Sequence, residues 1–131
     1  MAPRITFLIC SVVGLFFAVA FCLAPKFFTH QAWPTAEGQA LEIAVTMRYV
    51  VAAMIFHVSL LLFAASKVVG AGNQKPVMLS SAIGFTVVCA TILYVGLFRG
   101  DGVPTMPPIV GTGILAILCW LSWSKTKIAT T

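Results

Sequence analysis

Five side chains in this sequence carry chemistry that an apolar setting would sharpen: Glu42, Arg48, Tyr49, His57 and Asp101. Glu42, Thr46, Tyr49, Ala53 and His57 follow one another at helical spacing. At about 100° per residue they fall on one side of a helix. The result is a polar stripe that ends at a histidine. His57 precedes Ser66 by nine residues, which at about 1.5 Å each places it near the middle of a membrane span. An ionisable group at that depth is costly and is a functional hypothesis by default. Imidazole suits a proton- or ligand-responsive group at the base of an outward-facing cavity. The plainer expectation is a neutral ring hydrogen-bonded to a neighbouring helix through Thr86, Thr91 or Tyr94, an arrangement that costs little. Arg48 lies about 120° around the same helix from Glu42 and so faces a different neighbour. It is expected to pair with Asp101 or Glu37, or to extend to the interface. Its fork of donors would also suit an anionic lipid headgroup or a quinone-like ligand.

The remaining candidates for chemistry are weaker. Cys10, Cys22, Cys89 and Cys119 lie in apolar runs without a C-x-x-C pair, so spacing gives neither a zinc site nor a thioredoxin-like motif. They are expected to be small packing residues. Thiol-oxidising membrane proteins of the quinone-linked kind need paired cysteines, which are absent here. A bis-histidine haem site would require His30 and His57 to share a depth, and one falls in a loop while the other falls mid-span. No metal and no cofactor is expected, and no set of catalytic residues is legible.

The elements that must position these groups follow from composition. Hydrophobic residues make up 60% of the 131-residue chain and charged residues 8%, against roughly a quarter charged in a soluble domain. So few charges cannot cover a globule in water, whereas lipid removes that demand. The formal net charge of +5 is scattered among apolar runs rather than gathered on one face, which argues against nucleic acid. Four apolar stretches, at about 5–24, 41–66, 77–98 and 107–123, are read as spans of an all-α, polytopic membrane four-helix bundle forming a single membrane domain. The first is read as a retained helix, since its apolar run exceeds the about 7–15 residues of a signal peptide. Pro107 and Pro108 suit the first turn of the fourth.

Charge sets the orientation. Arg4, Lys67, Lys75, Lys125 and Lys127 fall on one side, with no acid. Lys26, Arg48 and Arg99 share the other side with Glu37, Glu42 and Asp101. The positive-inside rule places both termini in the cytoplasm. Trp33, Trp120 and Trp123 fall where aromatic rings anchor at headgroup level. The loop 25–40, with Phe27, Phe28 and Trp33, is expected to lie along the interface or over the mouth of the bundle. Segments 68–76 and 99–106 are expected to be tight turns. Small residues at helical spacing predict packing seams: Ser11, Gly14, Ala18 and Cys22; Ser80, Gly84 and Thr91; Gly113, Ala116 and Cys119.

The run Leu23-Ala24-Pro25-Lys26-Phe27-Phe28, Arg48 near the start of the second span, and glycine-bearing third and fourth spans resemble the small DoxX-like four-helix membrane proteins. The resemblance extends over most of the chain in length and span order. It implies a small membrane protein, some of whose relatives are associated with quinone-linked sulfur oxidation or oxidative-stress complexes, and it supplies no catalytic residue. The expected role is a non-catalytic integral membrane subunit or assembly factor. Its partners would be the lipid bilayer and other membrane subunits or further copies of the chain, in a bacterial inner (plasma) membrane. The alternative is a small transporter or a lipid- or quinone-binding protein working through the polar stripe.

Overall fold

The computed structural model describes residues 2–98 and 106–126 and contains five helices: α1 (Pro3–Leu23), α2 (Pro25–Ala32), α3 (Gly38–Ala65), α4 (Ala71–Phe98) and α5 (Met106–Lys125). All except α2 are long and apolar enough to cross a membrane. The chain is therefore an all-α polytopic protein, as its composition predicts.

Proline and glycine set the breaks. Pro3 opens α1, where its missing N–H is no loss. Ala24, held before Pro25, leaves the helical region with φ −131° and ψ 51°, because the proline ring crowds a preceding α conformation. Pro25 then opens α2. That helix closes with the Trp33 amide donating to the Thr29 carbonyl at 2.8 Å, ahead of Pro34. Gly38, at φ +54°, and Gly70, at φ +96°, make the corners into α3 and α4, a conformation that glycine adopts without steric cost.

Two helices begin three or more residues earlier than the apolar pattern predicts. α3 starts at Gly38 rather than 41, and α4 at Ala71 rather than 77. The expected turn over 68–76 is thus shorter, and Pro76 lies inside α4. Apolarity marks where the chain enters lipid, whereas the helix starts where the backbone can first close its bonds. Here Asn73 and Gln74 close it, both amides donating to the Gly70 carbonyl at 3.2 and 3.1 Å. At about 1.5 Å per residue, each 28-residue helix is about 42 Å long and outruns a hydrocarbon layer of about 30 Å. Of the turn expected over 99–106, residues 99–105 lie outside the described residues and Met106 opens α5.

The helices form two antiparallel pairs, α1 with α3 and α4 with α5, and α1 joins the pairs by also packing on α4 and α5. The core gathers where all four long helices meet: Phe7 and Cys10, Leu62 and Ala65, Met78 and Ala82, Leu115 and Cys119. These residues fall at the end of the molecule that carries Arg4, Lys67, Lys75 and Lys125. Outward-facing Phe16, Met54, Leu97 and Ile117 remain exposed, as a surface solvated by hydrocarbon requires.

The first and last expected seams form in large part. Ser11 and Ala18 are buried and Gly14 sits against Ser59, while Cys22 is exposed. On α5, Ala116 and Cys119 are buried and Gly113 approaches the Cys89 sulfur. The α4 seam is different. Ser80, Gly84 and Thr91 face outward, and Met78, Ala82, Phe85 and Cys89 turn inward. Ser80 donates to the Pro76 carbonyl and Thr91 to the Val87 carbonyl. A hydroxyl closed onto its own helix tolerates lipid, so small polar residues need not mark a seam.

Candidate functional site on the second span

α3 carries the sequence-predicted groups, and its packing separates them into two sets. It lies along α1, meets α2 at its outer end, and reaches the α4–α5 pair only near its last turns through Leu62 and Ala65. The seam with α1 is close because Gly14 has no side chain. A Cβ there would run into the Ser59 hydroxyl and lie 3.4 Å from the Ser59 Cβ. Ser11 donates to the Ser59 carbonyl at 2.8 Å across the same seam.

Arg48 turns toward this packed side. Its Nη2 donates to the Phe28 carbonyl at 3.1 Å. Its guanidinium carbon lies 5.5 Å from the Phe21 ring centre and 5.6 Å from that of Trp33. Phe21 and Phe28 are themselves in edge contact at 4.8 Å. The arginine therefore clips α2 down onto α1 and α3, which holds the expected apolar loop over this end of the molecule. The expected ion pair with Glu37 does not form. Asp101, the other expected partner, lies outside the described residues, as do Arg99 and Lys127.

The polar stripe faces away from the other helices. Glu42, Thr46, Tyr49, Ala53 and His57 are all exposed. Thr46 closes its hydroxyl onto the Glu42 carbonyl at 2.9 Å. Gln39, Glu42, Ile43, Thr46 and Met47 line a shallow, open trough, not a cavity descending to His57. His57 lies about 160° around α3 from the buried Ser59. It has no hydrogen-bond partner among the described residues. Thr86 and Thr91, two of its expected partners, donate instead to Ala82 and Val87 in their own helix. Thr86 also accepts from the Trp120 indole at 3.2 Å. The third, Tyr94, packs on Phe98. Among the described residues the ring is thus not satisfied by a neighbouring helix, since α3 packs mainly on α1 and α2.

One contact was not legible in the spacing. Cys10 on α1 and Cys119 on α5 meet at 3.7 Å between sulfurs, both fully buried. One turn nearer the termini, Thr6 donates to the Ser122 hydroxyl at 3.0 Å. The signal was equal depth: Cys10 follows Arg4 by six residues and Cys119 precedes Lys125 by six. Cys22 is exposed near the far end of α1, and Cys89 donates weakly to the Ile109 carbonyl. Among the described residues no three His, Cys, Asp or Glu side chains gather to hold a metal ion, and His30 is exposed on α2, apart from His57.

Compared with known protein families, with functionally characterised proteins and with solved structures, the chain matches none. Fold and site define it at the level of a multi-pass α-helical membrane protein.

Proposed function

We propose that this protein is a non-catalytic integral membrane subunit, or an assembly or stability factor, of a larger membrane complex. One observation carries the proposal: His57, about 13 Å along α3 from Ser66 at the inner end, stands on a face that no other described element covers. An imidazole left against hydrocarbon at that depth is costly, and ionisable groups within spans almost always face protein or water. A second protein surface laid along α3 would remove that cost and give the ring a partner. The exposed Glu42, Thr46 and Tyr49 above it extend the same polar line toward the outer end. The charge pattern supports cytoplasmic termini, and the location that goes with this reading is a bacterial inner membrane. Kinship with the DoxX-like proteins belongs to the same proposal.

The alternative, a small transporter or a lipid- or quinone-binding protein, draws on the open trough beside Glu42 and Thr46. Arg48, its natural anion-binding group, faces the opposite packed side and is engaged by Phe28. That placement favours the subunit reading.

Gentle solubilisation of native membranes, with identification of co-migrating chains and a visible spectrum, tests the proposal. A defined complex that is lost on His57→Leu, while the variant itself stays folded, is expected. A colourless species containing only this chain and lipid would overturn it.

A further inference from the structure

We propose that Cys10 and Cys119 form an oxidisable dithiol, which a small neutral peroxide converts to an intramolecular disulfide that staples α1 to α5. The two sulfurs are in van der Waals contact at 3.7 Å on antiparallel helices. A disulfide bond measures about 2.05 Å, so closure requires the sulfurs to move together by under 2 Å, within reach of side-chain rotation. Among the described residues no third His, Cys, Asp or Glu joins them to hold a metal ion, so the chemistry the contact offers is that of a thiol pair. The position matters mechanically. α1 is the helix through which the α1–α3 and α4–α5 pairs are joined, and a bond at this point would lock them together.

The surroundings select the oxidant. Phe7, Met78, Ala82 and Leu115 enclose the pair in an apolar core. Charged or bulky oxidants such as glutathione disulfide are excluded from such a site, whereas hydrogen peroxide is small and uncharged. The Thr6–Ser122 hydroxyl pair, itself buried, lies one helical turn away on both helices. In the first step one sulfur attacks a peroxide oxygen and the O–O bond breaks. One water leaves with the thiol proton, and a sulfenic acid remains. The second sulfur then attacks the first, the S–O bond breaks, and hydroxide departs with the second thiol proton as water. Two thiols and one peroxide thus yield one disulfide and two waters.

The full-length Cys22→Ser/Cys89→Ser protein in lipid nanodiscs is treated with hydrogen peroxide, denatured, and titrated for free thiols, with a non-reducing peptide map. Both remaining thiols are expected to be lost together, giving one cross-linked Cys10–Cys119 peptide that a dithiol reductant reopens. Glutathione disulfide is expected to leave both thiols free. Wild-type protein mapped in the same way gives the linkage even if the double variant folds poorly. Persistence of both thiols at peroxide levels that oxidise Cys22 in the parent would overturn the proposal. So would separate sulfinic acids at the two positions, or a bond between two copies of the chain.

Discussion

Replacing Gly14 tests the packing that holds the first two spans together. An alanine Cβ at this position would collide with the Ser59 hydroxyl and sit 3.4 Å from the Ser59 Cβ and 3.8 Å from Ile55 Cγ2. Ser59 can yield only by rotating off its 2.7 Å bond to the Ile55 carbonyl. Side-chain hydrogen bonds in membrane helices average about 0.6 kcal/mol, and alanine gains about 1 kcal/mol over glycine in a helix. Gly14→Ala should therefore be close to neutral, within about 0.5 kcal/mol after these opposing terms. Gly14→Leu has no such escape, since the larger side chain meets both Ser59 and Ile55. Overpacking of this kind costs about 1–3 kcal/mol, and the upper half of that range is expected here. In a Ser59→Ala background the obstructing oxygen is gone, and Gly14→Ala should become stabilising by up to about 1 kcal/mol. Equilibrium unfolding in mixed micelles of increasing SDS fraction, followed by helical circular dichroism, measures all four variants. The reasoning fails if Gly14→Leu falls within about 0.5 kcal/mol of the parent, or if Gly14→Ala costs the same with and without Ser59.

Arg48→Ala removes a carbonyl hydrogen bond and two ring contacts, with cation–π contacts worth about 0.5–2 kcal/mol each. It should speed hydrogen exchange in the last turn of α2 by about tenfold or more and shift Trp33 fluorescence, with Arg48→Lys recovering little because an ammonium lacks the planar fork; unchanged exchange would refute the clip. Ser80→Val and Thr91→Val, on the outward face of α4, should each change SDS stability by less than about 0.5 kcal/mol, whereas Ala82→Leu in the core should cost about 1–3 kcal/mol. The reverse ranking would restore the seam predicted from small residues. In a cysteine-free background, Glu37→Cys should react with a membrane-impermeant maleimide added outside intact cells and Lys67→Cys only after permeabilisation, and the opposite pattern would invert the topology.

Span number and type were legible because lipid imposes a long, uninterrupted apolar run that few other constraints imitate. Helix starts were less so. The polar turns Gly38–Ala40 and Ala71–Pro76 are helical without being apolar, and hydropathy cannot register them. The polar stripe of α3 was also legible, since 100° spacing places Glu42, Tyr49 and His57 together wherever the helix lies. Its surroundings were not, because they depend on which helices pair. Arg48 was expected to seek a carboxylate and instead found a carbonyl and two aromatic faces; Phe21 comes from α1, and the Phe28 carbonyl and Trp33 ring come over it only once α2 folds back. Cys10 and Cys119 stand 109 positions apart, and no local spacing rule reaches across that separation. Depth relative to Arg4 and Lys125 does, once the termini are assigned to one side.

The central claim is that another protein covers the His57 face of α3. A photo-crosslinking amino acid placed at Ala53, one turn from His57 on the same exposed face, tests it most directly in native membranes and leaves the imidazole intact, with Phe16, an outward-facing residue of α1 that is 69% exposed, as a lipid-facing control. The account predicts a discrete protein adduct from residue 53, of one mass and of higher yield than from residue 16. Lipid adducts alone from both positions would contradict it.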